Sequence, residues 1–273
     1  MKNLKYIFFC LLFASMSSCE EVVDVDLNTA APRLVIDASI VWQKGTAGNL
    51  QKVKLTTTAG YYETSVPNVS GATVFITNSS NTIFNFTENP GTGEYICTNF
   101  VPVLNSTYVL TVIYNGETYT ATETLKPVPV IDSIEQRNDG GFTGEDIEIK
   151  TLFTDNGATT DFYLFRYKPS FAAIPAYYVL DDEFVQGNQV TDIYSHEDLA
   201  SGQTFELSLY GISQTYYNYM LILTGIAGES GGGPFSTPSA TLRGNIVNTT
   251  NFDNYALGYF NVSEMDFRSY TVQ

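Results

Sequence analysis

His196 is the only histidine of the chain, and it is the side chain best suited to acid–base chemistry near neutral pH. Glu197 and Asp198 follow it, and Ser195 and Ser201 lie close in sequence, so a Ser-His-Asp arrangement is formally available. A single histidine among loop residues is nevertheless more typical of an exposed loop than of a catalytic site. We therefore expect the protein not to be an enzyme, with a His-dependent hydrolase as the less favoured alternative.

Metal chemistry needs several suitable ligands, and zinc would need more His and Cys residues than this sequence supplies. Calcium prefers carboxylate oxygens, which occur in three short acidic runs. These runs are Glu145-Asp146, Asp181-Asp182-Glu183 and Glu197-Asp198. No Asp-x-Asp-x-Asp-Gly spacing links them, so we interpret them as solvated turns and predict no metal and no cofactor.

The thiol of Cys19 is the group whose chemistry the sequence specifies most clearly. Two lysines precede an apolar run over residues 6–14, and Ser17-Ser18 lead into Cys19, which is the layout of an export signal. The stretch resembles the bacterial lipoprotein signal, which implies that residues 1–18 are removed and that Cys19 is acylated. Two alternatives are an uncleaved membrane helix, for which the run is shorter than the roughly 20 residues needed, and a secreted protein with a free Cys19 thiol.

Acidic residues dominate both the segment after Cys19 and the chain as a whole. The acidic run over residues 20–26 resembles the surface-export signals of Bacteroidetes lipoproteins, and the alternative is a solvated tether between the membrane and the fold. Lys and Arg number 13 against 29 Asp and Glu, for a net charge of -16. So acidic a protein should be repelled by nucleic acid and by anionic lipid, which leaves the acyl chains as the route to a membrane.

Strand patterns run through most of the chain, and only 15% of its residues are charged. Asn115-Gly116 stands between two alternating runs and predicts a two-residue hairpin, because both positions tolerate a positive φ. Cys97 has no disulfide partner once Cys10 and Cys19 are set aside, and we predict that it is a small buried residue. The predicted strands are at 34–42, 52–58, 69–76 after an initial turn, 82–87, 108–114, 117–122, 146–153, 161–168, 176–180, 204–210, 258–262 and 267–272.

Pro127-Val128-Pro129 interrupts the strand pattern, and alternating prolines favour a short, semi-rigid linker between two domains. The alternative is a strand terminus within one larger domain. Ser213 is a plausible helix N-cap for the stretch over residues 213–223, with a strand left open as an alternative. The predicted helix face consists of Tyr217, Met220, Leu221 and Thr224. The predicted divisions are a signal peptide (1–18), an acidic tether (19–32), an N-terminal β-sandwich (33–126), a linker (127–130) and a C-terminal β-rich domain (131–273).

Adjacent tyrosines are the remaining candidate site, because exposed tyrosine rings bind sugars and protein partners. Neighbouring residues of a strand point to opposite faces, so about half of these rings belong to a core. The candidate pairs are Tyr61 and Tyr62, Tyr177 and Tyr178, and Tyr216 and Tyr217. Asp132-Ser133-Ile134 also resembles the O-glycosylation motif of Bacteroidetes, which makes Ser133 a candidate modification site.

Several short motifs are spread over the chain, and they are Cys19 with its tether, Leu34-Val35-Ile36, 69–74, 107–112, 120–122 with Pro127 and Pro129, Pro234-Phe235, 244–246 and 257–260. Together these motifs resemble the DUF4249 lipoproteins of Bacteroidetes. The Gly71-Ala72-x-Val74 and Gly93-x-Tyr95 patterns also resemble the transthyretin-like β-sandwich of carboxypeptidase regulatory domains. The resemblance implies an envelope lipoprotein often found beside TonB-dependent receptors, and it supplies no active site.

The fold class that we predict is mostly β, with two antiparallel β-sandwich-like domains, an immunoglobulin- or transthyretin-like first domain and one short helix in the second. We expect a lipoprotein of the outer membrane that acts as a non-enzymatic accessory or binding component of a TonB-dependent transport system. It should face the cell surface, with the periplasmic face as the alternative. A surface adhesin or glycan-binding module is the alternative function. The expected partners are therefore the membrane, a receptor and a glycan.

Overall fold

A computed structural model describes residues 31–60, 63–141, 144–227 and 242–273 of this chain. The predicted signal peptide, Cys19, most of the tether and the Tyr61-Tyr62 pair lie outside the described residues. Residues Pro32–Gln273 form one compact unit. The strands are β1 (Leu34–Gln43), β2 (Gln51–Thr57), β3 (Thr73–Asn78), β4 (Ile83–Asn89), β5 (Glu94–Cys97), β6 (Thr107–Tyr114), β7 (Glu117–Thr124), β8 (Ile131–Gly140), β9 (Asp146–Thr154), β10 (Phe162–Pro169), β11 (Ala176–Asp181), β12 (Gln189–Ser195), β13 (Thr204–Ile212), β14 (Val247–Asn248) and β15 (Leu257–Thr271), and the helix is α1 (Gln214–Ala227).

The described strands form two sheets in which nearly all neighbours are antiparallel. The larger sheet has 12 strands in the order β11-β10-β13-β15-β1-β2-β5-β4-β3-β6-β7-β14, and the smaller has the order β12-β9-β8. The exception is the parallel pair of β1 and β15, in which Val35 lies opposite Leu257. The mostly β, antiparallel fold class predicted from the sequence is confirmed.

The first hydrophobic core lies between two parts of the larger sheet. Ile36 and Leu55 of β1 and β2 belong to the same buried cluster as Val74 and Leu110 of β3 and β6. Residues on separate parts of one sheet reach a common core only if the sheet folds over on itself. This half is therefore a two-layer sandwich, and alternate residues of each strand point into it.

Two further cores lie on opposite faces of β10 and β13. On one face, Phe165 and Leu207 pack with Phe153 of β9, so the smaller sheet covers that side. On the other face, Leu164 and Ile212 pack under α1. Burial on both faces explains why β10 has an almost continuous aromatic and apolar sequence.

The hairpin of β6 and β7 confirms the prediction made from Asn115-Gly116. Asn115 has a φ of 49° and Gly116 a φ of 79°, so both turn residues adopt the left-handed conformation that a type I′ turn requires. Tyr108, Leu110 and Val112 are buried on one face of β6, as alternation predicts. Cys97 is buried and has no disulfide bond, as expected.

The Pro127-Val128-Pro129 segment packs tightly against β13 and β15. Val128 is buried, and its backbone N–H donates to Glu264 Oε2 at 2.9 Å. A Cβ atom on Gly211 would lie 1.9 Å from the carbonyl oxygen of Pro127, so only glycine allows this close approach. Strand pairing between β1 and β15 joins residues from both sides of this segment. The division into two domains at residues 127–130 stays a prediction.

Helix α1 forms where the sequence predicted a helix. Ser213 is its N-cap, because Ser213 Oγ accepts from the backbone N–H of Tyr216 at 3.1 Å. The predicted face was right for Met220, which is buried, and wrong for Leu221, which is exposed, because the helix packs through Tyr216 and Met220. Tyr216 starts this face one residue before Tyr217, which turns the helix by about 100° relative to the prediction.

The last strand also differs from the prediction. Two short strands at 258–262 and 267–272 were expected, whereas β15 runs unbroken over 15 residues. Polar residues such as Asn261, Ser263 and Glu264 interrupt the apolar sequence that predicts a strand. All three are nevertheless buried and hydrogen-bonded. Four further strands, β5, β8, β12 and β14, were not predicted as strands at all.

Candidate functional site

His196 lies in a turn just after β12, with part of its ring exposed. Its Nδ1 atom accepts from the backbone N–H of Asp198 at 3.1 Å, and its ring centroid is 5.0 Å from that of Phe171. The hydroxyl of Ser195 donates to the carbonyl of Ile147 at 3.0 Å. Backbone groups therefore bind both the imidazole and the nearest hydroxyl.

A Gly-x-Ser-x-Gly pattern, which marks a nucleophilic serine in many hydrolases, occurs at residues 228–232. These residues lie outside the described part of the chain. In hydrolases this pattern joins a strand to the helix that follows it, whereas here it comes directly after α1. That the protein is not an enzyme stays a prediction.

Three carboxylates from separate elements come together beside the end of β11. Asp155 follows β9, Asp161 precedes β10 and Asp182 follows β11, and their carboxylate oxygens lie within 4.8 Å of one another. The backbone N–H of Asp182 donates to the carbonyl of Asp161 at 3.2 Å, which extends the register of β10 and β11 to these residues. Asp155 and Asp182 are buried. The prediction that the 181–183 run is a solvated turn was therefore wrong for Asp182.

Neutral donors satisfy most of the oxygens in this carboxylate cluster. Asp155 accepts from the hydroxyl of Tyr163 and, at 2.7 Å, from the backbone N–H of Gly187. Asp182 accepts from the backbone N–H of Asp161 at 2.7 Å. Burial, and then the charges of Asp155 and Asp182, raise the pKa of Asp161 above its ordinary value.

The cluster can hold an extra proton, and its oxygens are of the kind that calcium binds. Three carboxylates are fewer than the six to eight oxygen ligands that calcium takes, and among the described residues no further His, Cys, Asp or Glu side chain joins the group. The absence of a metal stays a prediction. The spacing of 155, 161 and 182 matches no linear motif. The register of β10 with β11 places Asp161 beside Asp182, and Asp155 is held near them by the hydroxyl of Tyr163.

The structure separates the predicted tyrosine candidates into two groups. Tyr177 and Tyr178 lie on β11 with 36% and 50% of their surfaces exposed, and the ring of Tyr178 is 5.8 Å from that of Tyr167. Tyr216 is buried, and Tyr217 donates its hydroxyl to Asp181 Oδ2 at 2.9 Å. Tyr216 and Tyr217 therefore pack α1 onto the sheet, so Tyr216 is not the exposed ring that a ligand site requires.

A buried polar group lies at the start of α1. Ser213 Oγ donates to Glu123 Oε2 at 2.8 Å, and burial raises the pKa of Glu123. The ring of Tyr259 lies 4.7 Å from the rings of Tyr216 and Tyr219, and within the described chain its hydroxyl has no hydrogen-bond partner. The close packing of these three rings indicates that the residues around Ser213 hold the start of α1 against the sheet.

Two arginines that no sequence motif indicated stack on one tyrosine. The guanidinium carbons of Arg33 and Arg243 lie 4.0 Å and 3.8 Å from the ring centroid of Tyr255. Two groups so close to one centroid must occupy opposite faces of the ring. The stack fixes the residue before β1 to the segment before β15.

The comparison with protein families establishes what the chain is related to. The family described as a domain of unknown function, DUF4249, matches residues 20–267. The chain belongs to the DUF4249 family. The resemblance drawn from the short motifs is thereby confirmed at the level of the family.

Two solved structures resemble parts of this DUF4249 protein. A segment of two fibronectin type-III domains from chicken tenascin has 12% identity and a TM-score of 0.22, over 59% of this chain and 83% of that one. A DUF4785 family protein from Legionella pneumophila has 11% identity and a TM-score of 0.28, over 65% of this chain and 52% of that one. No curated protein matches the chain.

Two observations on the DUF4249 protein bear on export and modification. Among the residues that the structure describes, no helix has the length and apolar character needed to span a membrane. Ser133 is exposed on β8 at an irregularity in the pairing with β9. Its hydroxyl is thus accessible, and O-glycosylation there stays a prediction.

Proposed function

We propose that this protein is an outer-membrane lipoprotein whose acylated Cys19 holds a folded binding unit at the membrane, facing the cell surface. The observation that carries the proposal is the position of that unit, which begins at Pro32, shortly after Cys19. An extended segment of this length spans up to about 45 Å, at roughly 3.5 Å per residue. The order is therefore a lipid attachment site, a short tether and a compact body.

The acyl chains would set the strength of the attachment. Each buried methylene group contributes about 0.8 kcal/mol, and a single chain binds a membrane only reversibly. The two or three chains implied by the lipoprotein signal would make the attachment lasting. The net charge of -16 would not add to it on an anionic surface.

We propose further that the tethered unit is a non-enzymatic accessory of a TonB-dependent receptor in the same membrane. Confinement to one membrane raises the effective concentration of two partners, so a weak contact suffices. The hydrogen bonds of His196 and Ser195 to backbone groups support a binding role over a catalytic one, because they occupy the imidazole Nδ1 and the nearest hydroxyl.

The exposed tyrosines of β11 favour a second candidate, a glycan-binding module. Tyr177 and Tyr178 present amphipathic rings, and such rings bind sugars when they are exposed. Binding to isolated cell-surface polysaccharide should fall when both are changed to Ala. Unchanged binding of the double variant would exclude this surface as the glycan site.

A pull-down in mild detergent from native cells tests the accessory proposal. The tagged protein is compared with Cys19→Ala, and with Cys10→Ala as a matched control that removes a cysteine from the signal and keeps the lipid site. Metabolic labelling with an alkyne fatty acid should mark the tagged protein and Cys10→Ala, but not Cys19→Ala. Recovery of one receptor with the labelled forms alone supports the proposal. Labelling without any receptor would leave a lipoprotein with another partner.

A further inference from the structure

Among the described strands, β11 is the last of the larger sheet, and an exposed apolar side chain lies near each of its two ends. Ile174, two residues before the strand, is 78% exposed, and Phe184, three residues after it, is 89% exposed. These are the most exposed large hydrophobic side chains of the described residues. Two such residues at the ends of one edge strand indicate a contact surface.

The outer edge of β11 carries a row of available backbone groups. The N–H of Asp182 donates to the carbonyl of Asp161, so the backbone of Asp182 points toward the β10 side. Because backbone groups alternate along a strand, those of Tyr177, Val179 and Asp181 point away from β10. No hydrogen bond from these outward groups to any described residue is observed.

Few of the usual protections of an edge strand are present here. Edge strands that avoid pairing carry Lys or Pro, contain a bulge or are very short. The opposite edge of the sheet follows this rule, since β14 has two residues. β11 has six residues, Ala-Tyr-Tyr-Val-Leu-Asp, pairs with β10 in a regular register and contains no lysine or proline.

We propose that β11 pairs with β11 of a second copy of this chain, antiparallel about a two-fold axis at Val179. The outward N–H and C=O of Val179 then bond to those of Val179 in the other copy, as in a hydrogen-bonded antiparallel pair. The same register sets Tyr177 opposite Asp181. It also brings Ile174 of one copy to the end of the pairing where Phe184 of the other copy lies.

The charges beside β11 complement one another under this symmetry. Arg166 and Lys168 of β10 lie beside and just beyond the start of β11, since Arg166 pairs with Tyr177, and Arg166 also lies 3.8 Å from the carboxylate of Glu206 on β13. Asp181 and Glu183 lie at its end. An antiparallel pair places each basic end against the acidic end of the other copy, whereas a parallel pair would place like charges together.

Sedimentation velocity tests this pairing on the full chain with Cys19→Ala, which removes acylation and any association that acyl chains cause. Dimers are expected above about 10 μM, the weak limit for an interface of ordinary size. Ile174→Glu sets an acid against the acidic end of the other copy, and Phe184→Lys sets a base against its basic end. Each single change should weaken dimerisation by about tenfold or more, because opposed like charges are costly.

The double variant Ile174→Glu/Phe184→Lys tests the register. It sets opposite charges against each other across the axis and should dimerise more tightly than either single variant. Leu50→Lys is the control, since Leu50 is 68% exposed and precedes β2. It should leave the dimer unchanged, and thermal melts should show that every variant is folded. A monomer at all concentrations, a dimer insensitive to the single changes, or a double variant no better than the singles would overturn the proposal.

Discussion

The carboxylate of Glu264 binds the backbone N–H of Val128 at 2.9 Å, and both residues are buried. The same Oε2 atom accepts from Lys44 Nζ at 2.8 Å. Two residues further along β15, Asp266 Oδ2 accepts from the backbone N–H of Ile131 at 2.7 Å. Two acidic residues of the last strand thus satisfy the backbone donors of the proline-containing segment.

Glu264→Ala should lower the free energy of unfolding by about 3 kcal/mol, because it leaves a partly buried cation and a buried N–H without an acceptor. Glu264→Gln keeps an oxygen for Val128 and should cost about 1 kcal/mol. Urea unfolding followed by circular dichroism measures both. Glu94→Ala is the control, since the Lys52–Glu94 pair lies at the surface, where solvent screening should make its contribution clearly smaller than that of Glu264. Equal losses for Glu264→Ala and Glu94→Ala would contradict this role of Glu264.

Ser213→Ala should destabilise the protein by about 1 kcal/mol, the usual cost of losing an N-cap. Ser213 Oγ both accepts from the N–H of Tyr216 and donates to Glu123, so its loss affects two buried partners. Ser201→Ala, in an exposed turn, is the matched control and should change stability by less than about 0.5 kcal/mol. If both variants unfold at the same urea concentration, the cap does not stabilise α1.

The local features of this fold were predictable, and those set by long-range packing were not. Asn115-Gly116 specified its hairpin because the turn depends only on the φ that two residues tolerate. Strand β8, with the sequence Ile-Asp-Ser-Ile-Glu-Gln-Arg-Asn-Asp-Gly, exposes most of its side chains and therefore lacks the alternation that marks a strand.

The candidate sites also depend on long-range packing that the sequence pattern does not contain. Tyr177 and Tyr216 belong to similar tyrosine pairs, yet Tyr177 lies on a sheet edge and Tyr216 lies on the buried face of α1. That difference follows from which surface α1 covers, and no short pattern contains this information. The cluster of Asp155, Asp161 and Asp182 likewise depends on long-range pairing, since the register of β10 with β11 sets Asp161 beside Asp182.

Asp161→Asn should stabilise the protein at pH 7, by the order of 1 kcal/mol or less because Asp161 is only half-buried. Burial and two neighbouring carboxylates raise its pKa from the ordinary 3.8. An acid whose pKa is raised by folding contributes stability below its unfolded pKa and loses it as the pH rises through the folded pKa. The advantage of Asn should therefore disappear below about pH 4.

Urea unfolding at several pH values between about 3 and 8 measures this dependence, because the range extends from below to above the ordinary pKa of a carboxyl group. The hydroxyl of Thr159, which donates to Asp161 at 2.6 Å, can still donate to the amide oxygen of the variant. Asp253→Asn removes an exposed carboxylate elsewhere and serves as the control. A stability difference that stays constant over the whole pH range would exclude a raised pKa at Asp161.

Tyr255→Leu should destabilise the protein by about 1 kcal/mol through the loss of two cation–π contacts, whereas Tyr255→Phe keeps the aromatic faces and should be nearly neutral. Arg33 and Arg243 have no carboxylate partner among the described residues, so the ring is the main group that holds them.

A double-mutant cycle of Arg243→Met with Tyr255→Leu should give a coupling of about 0.5–1 kcal/mol in urea unfolding. The same cycle with Arg137→Met, whose guanidinium pairs with Asp139, is the control and should give a coupling near zero. A coupling near zero for Arg243 as well would show that the stack adds nothing to the attachment of β1 beside β15.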